Sequence, residues 1–122
     1  MKESFLDIVC VCGRHALEDA NLLRRTGEFF SSGKYKLNWY CVTTPKNREV
    51  PEGFIKLLDL HPSSSEAGII HAEGLMEGLK HVKSQHVLFT DSDIAILKKN
   101  WDVAIMDKIS KECPIVGFEF GS

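Results

Sequence analysis

The stretch Val87-Leu88-Phe89-Thr90-Asp91-Ser92-Asp93 reads as an apolar β-strand that ends in two carboxylates one residue apart. Side chains alternate faces along a strand, so if the pleat continues past Thr90, Asp91 and Asp93 project together and Ser92 points away. Two carboxylates on one side repel each other unless a hard cation lies between them. Mg²⁺ or Mn²⁺ held by one or two carboxylates fills its other positions with water and phosphate oxygens. The motif therefore anticipates a divalent-metal site and a substrate that carries phosphate.

Working outward, the spacing of apolar residues predicts strands alternating with helices. Residues 5–12 are β-rich, and Gly13 follows where a strand would turn into a helix. A helix over 14–30 places Ala16, Ala20, Leu23, Gly27 and Phe30 on one face, and Ser31-Ser32-Gly33 close it. Residues 36–43 form a second strand, residues 44–53, with Pro45 and Pro51, a loop, and residues 54–60 a third strand. Ser63-Ser64-Ser65-Glu66 supply N-cap candidates for a helix over 67–83, with Ile69, Ala72, Met76, Leu79 and Val82 as its apolar face. Beyond the acidic motif, Asn100 is a cap candidate for a helix over 101–111 carrying Trp101, Ile105 and Ile109, and a last strand is expected over 115–120. This order predicts one α/β domain over 1–122, with a mostly parallel, Rossmann-like sheet covered by helices on both faces. Such sheets bind ligands at the carboxyl ends of their strands, where Asp91 and Asp93 fall.

The composition excludes several classes. A chain of 122 residues with 43% hydrophobic residues supports one packed core, and a formal charge of −2 offers no field for nucleic acid or an anionic membrane. Neither a signal-like apolar run nor a membrane-length segment is read, so a soluble, cytoplasmic protein is expected. The four cysteines, Cys10, Cys12, Cys41 and Cys113, are expected to be reduced and mostly buried, because no CxxC pair supports zinc.

The run Gly74-Leu75-Met76-Glu77-Gly78-Leu79-Lys80-His81-Val82-Lys83, followed by His86-Val87-Leu88-Phe89-Thr90-Asp91-Ser92-Asp93, resembles the helix, strand and DxD motif of GT-A-fold glycosyltransferases, in particular the family 2 group. The resemblance extends in element order over nearly the whole chain. It implies the nucleotide-binding half of a metal-dependent hexosyltransferase that takes a sugar from a UDP- or GDP-linked donor and passes it to an acceptor the sequence does not name. It further implies that Asp91 and Asp93 hold Mn²⁺ or Mg²⁺ against the donor diphosphate, with Asp93 bridging metal and phosphates and Asp91 orienting the metal shell or a ribose hydroxyl. Two positions depart from the family pattern. Val42-Thr43-Thr44-Pro45 stands where an Asp pair often contacts the nucleoside, and Gly74-Leu75-Met76 stands where Ala-Arg-Asn often precedes the Gly-Leu step. The acceptor-binding half that the family places after the motif has no counterpart in residues 94–122, and no catalytic base is assigned.

The nucleotide-facing set read from the chain is Cys12, Gly13, Arg14, Thr44, Ser65, His71, Asp91 and Ser92. Cys12, Gly13 and Arg14 follow the first strand, where glycine permits close backbone approach. Ser63, Ser64 and Ser65 open a helix whose N–H groups suit phosphate, although plain helix capping serves equally. His71 reaches a diphosphate if its helix starts at the site; otherwise it is a half-exposed helix histidine. His81, His86, Lys98 and Lys99 read as surface residues and Trp101 as a core anchor. Three rival readings remain: a non-catalytic nucleotide-binding or assembly module, a haloacid dehalogenase-type phosphatase, whose Asp-x-Asp follows its first strand, and a Toprim-type domain, which needs a glutamate where this chain has Val11-Cys12-Gly13-Arg14. A bare sheet edge would allow homodimerisation.

Overall fold

The computed structural model describes residues 5–12, 17–43, 52–57, 60–109 and 112. Its elements are β1 (Phe5–Val11), α1 (Leu17–Phe30), β2 (Lys36–Val42), β3 (Ile55–Leu57), α2 (Ala67–Leu79), β4 (Val87–Thr90) and α3 (Trp101–Met106). The strands form one open sheet in the order β3-β2-β1-β4, and all three pairings are parallel. This is the expected α/β fold. The expected strand over 115–120 lies outside the described residues.

Alternation along β1 builds two cores. Leu6, Ile8, Cys10 and Cys12 pack on one face with Ala20 and Leu23 of α1 and with Trp101 and Ile105 of α3, while Val9 joins Tyr40, Val42, Leu57 and Leu60 on the other, the face covered by α2. β1 is apolar on both faces because it is buried on both, as parallel sheets require. Its one charged residue, Asp7, is fully buried. Asp7 accepts hydrogen bonds from Asn38 Nδ2 (2.9 Å), Lys83 N (2.7 Å) and Ser84 N (2.9 Å), so this carboxylate ties β2 and the approach to β4 onto β1.

The face of α2 differs from the expected one. Ile69, Met76 and Leu79 are exposed, and the buried positions are Gly74 and Gly78. The reason is steric. A Cβ on Gly74 would sit 2.5 Å from Val11 Cγ2, and one on Gly78 would collide with Val9 Cγ1, so the two glycines let the helix axis lie close against β1. α2 also ends at Leu79 rather than residue 83, because the Lys83 and Ser84 N–H groups turn to Asp7. Its N-cap position is held by Glu66 without a side-chain cap, while Ser63 bonds Glu73 through both its N–H and its hydroxyl and Ser64 Oγ accepts from Glu66 N.

The segment after β4 is docked on the end of α1. The last carbonyls of a helix lack intrahelical partners. Here Gly27 O takes the Trp101 indole N–H at 2.8 Å, Glu28 O takes Ser31 N at 3.4 Å, and Phe30 O takes Asn100 N at 2.6 Å. Thr26 Oγ1 accepts Ile96 N at 2.9 Å, and buried Asp102 accepts both the N–H and the hydroxyl of Ser32. Asn100 precedes α3 as expected, but in the left-handed region (φ 57°) and without a side-chain cap, its N–H serving α1 instead. α3 stops at Met106 rather than residue 111: Lys108 and Ile109 bond carbonyls three residues back, which tightens the last turn.

Candidate functional site

The carboxyl ends of the strands line up on one edge of the sheet, since Cys10 is in register with both Cys41 and Thr90. From β1 the chain moves to β2 and β3 on one side and returns to β4 on the other. The crevice outside β1 and β4 is therefore the topological switch point, where open α/β sheets bind their ligands. Asp91 follows β4 directly at this crevice.

The strand geometry does not continue through the motif. β4 ends at Thr90, and Ser92 and Asp93 form a turn, so the pleat argument for a shared direction of Asp91 and Asp93 fails. The Thr90–Cys10 pair is the last of the β1–β4 ladder, so Asp91 carries no strand pairing. Both aspartates are exposed, and Ser92 is half-buried. Asp91 Oδ1 lies 3.5 Å from His71 Nε2 on α2, so the helix histidine does meet the motif. Thr90, buried beneath them, donates its hydroxyl to Asp91 O at 3.1 Å.

The other expected residues divide. The Cys12 side chain is 6% exposed in the α1-side core, and its N–H is taken by Val42 O at 2.9 Å. Strand alternation from Ile8 and Cys10 carries Cys12 to that face. Ser65 is exposed ahead of α2. Gly13, Arg14 and Thr44 lie outside the described residues, as does Cys113.

A cavity of about 470 Å³ lies beside the motif, with His71, Thr90, Asp91 and Lys98 as its polar residues. Its walls are otherwise apolar: Leu75 of α2, Leu88 and Phe89 of β4, Ile94, Ala95, Ile96 and Leu97 of the following loop, and Trp101 and Ile105 of α3. The sequence reading overlooked this cavity. Its one sequence signal is Ile94-Ala95-Ile96-Leu97, an apolar run that belongs to no helix or strand. Trp101 is the expected core anchor, at 3% exposure, and it also forms one wall. Lys98 and Lys99 are exposed as expected.

Among the described residues no group of three or more His, Cys, Asp or Glu side chains is placed to hold a metal. Carboxylate oxygens are the ligand type that Mg²⁺ and Mn²⁺ take, and such ions leave their remaining positions to water and phosphate. Among the described residues no helix is long and apolar enough to cross a membrane. The fold and this edge define the class: an open, parallel α/β domain with an acidic turn at its switch point. Comparisons with protein-family models, with curated proteins and with solved structures return no match.

Proposed function

We propose that the chain is the donor-binding domain of a metal-dependent glycosyltransferase of GT-A type, using Mn²⁺ or Mg²⁺ and a UDP- or GDP-linked sugar. The observation that carries this reading is the acidic turn Asp91-Ser92-Asp93 at the switch-point end of β4, beside the end of β1. The strand order β3-β2-β1-β4 agrees with the first four strands of a doubly wound nucleotide-binding sheet. Asp91 and Asp93 would hold the cation, which supplies charge to offset the departing nucleoside diphosphate. His71 sets the side-chain direction of Asp91 from α2. The apolar walls keep bulk water from one side of the site, where electrostatic interactions strengthen. Acceptor recognition and the catalytic base fall to residues outside this set.

The test is the thermal midpoint of the purified chain with UDP, GDP and their sugars, each with Mn²⁺ and with EDTA. A ligand at about 100 times its dissociation constant stabilises the folded state by about 2.7 kcal/mol, a rise of several degrees. The expected result is a rise that needs one diphosphate and the metal together and is lost in Asp93→Ala. The absence of a rise with every nucleotide overturns the donor-site reading and favours the non-catalytic assembly module.

A further inference from the structure

Three thiols meet at the carboxyl end of β1, in the core on the α1 side. Cys10 and Cys41 are fully buried and stand opposite each other in the β1–β2 register, and Cys12, the next residue on that face, is 6% exposed at the end of the strand. The sulfurs of Cys10 and Cys12 are 3.5 Å apart, and both residues carry thiols. Strand rise puts the Cα atoms of residues i and i+2 about 6.6 Å apart, near the long end of the span a disulfide bridges. A bond closed there is held under tension, and strained disulfides are the readily reduced ones.

We propose that Cys10 and Cys12 are a reversible oxidation site, closed to an intrachain disulfide by a hydroperoxide. The Cys12 sulfur, at the end of β1 and the less buried of the two, attacks the peroxide oxygen. The O–O bond breaks, alcohol or water leaves, and Cys12 becomes a sulfenic acid. The Cys10 sulfur then attacks the Cys12 sulfur, forming S–S and breaking S–O, and water departs with the Cys10 proton. In sum, two thiols and one hydroperoxide give one disulfide, one alcohol or water and one further water, and two electrons pass from sulfur to oxygen. The order of events follows the local polarity. Cys10 is fully buried and Cys12 is 6% exposed, so Cys12 meets the peroxide first, and hydrogen bonding with Cys10 and Cys41 holds the Cys12 thiol low, which favours its nucleophilic form. Closure pulls on the end of β1, where the Cys12 N–H holds Val42 O of β2.

The test uses the full chain, folded, exposed to a small excess of hydrogen peroxide, then alkylated and cut with trypsin. Cleavage after Lys2 and Arg14 leaves both cysteines in one peptide, residues 3–14. The expected result is that this peptide becomes lighter by about 2 Da and refuses alkylation at both positions, and that dithiothreitol restores both thiols. Cys12→Ser abolishes the change, and Cys10→Ser leaves a sulfenic acid on Cys12 that dimedone traps. Full alkylation of both cysteines after a dose that consumes a free-thiol control overturns the proposal, and so does a cross-link to Cys41 or Cys113. The wild-type digest decides the matter even where a serine variant folds poorly.

Discussion

Asp7 shows how a single side chain can be read in two opposite ways. In the sequence it interrupts an apolar run; in the fold it is the fully buried acceptor of three hydrogen bonds, two of them from the backbone ahead of β4. Removing it orphans buried donors, so Asp7→Ala is expected to cost about 3 kcal/mol in urea unfolding. Burial pushes its carboxyl up, but the bonds from Ser84, Asn38 and Lys83 outweigh burial and hold it below the ordinary range. A lowered folded value means that the ionised form favours the native state. Its contribution is therefore complete above about pH 4 and is lost as the pH falls through that value toward the folded one. Acid titration of stability should show a step in the wild type that is reduced in Asp7→Ala. Cys12 has two aspects of the same kind: its place after a strand suggests a backbone approach for a nucleotide, while its parity along β1 sends the side chain into the core.

Among the elements, α2 departs most from its sequence pattern. The stripe Ile69, Ala72, Met76 and Leu79 has good helical spacing, yet the buried positions are Gly74 and Gly78, with Ile70 partly buried beside them, because the missing Cβ atoms let the helix pack closely on β1. Gly78→Ala would gain about 1 kcal/mol of helix propensity and meet Val9 and Val42, the latter at 3.2 Å. Overpacking costs about 1–3 kcal/mol, so a net loss is expected in chemical denaturation. Gly68→Ala is the control: an added Cβ there meets nothing within 4 Å, and stability should rise by about 0.5 kcal/mol. α3 depends on its strap to α1. Trp101→Phe keeps an aromatic ring but loses indole volume and the bond to Gly27 O, with an expected loss of about 2 kcal/mol and greater protease sensitivity of the 91–100 segment.

For the molecule as a whole, the cores lie on the two faces of β1 and the acidic turn lies beyond the end of β4, so the carboxylates of that turn are separable from stability although Trp101 and Ile105 serve both core and cavity. Asp93 is exposed, and Asp93→Ala should change the free energy of urea unfolding by no more than about 0.5 kcal/mol while removing any metal-dependent nucleotide response. A large loss of stability would make the residue structural instead. The alternation of strands and helices, the parallel sheet and the place of Asp91 at a strand end were all legible in the residues, because periodicity and turn chemistry are local and each element carries its own. The same local signal put Ala20, Leu23 and Trp101 correctly in the core. The meeting of His71 with Asp91, the glycine line under α2, the cavity behind the motif and the contact of Cys10 with Cys12 needed the fold, because each joins groups whose distance depends on how strands register and how closely a helix can approach them.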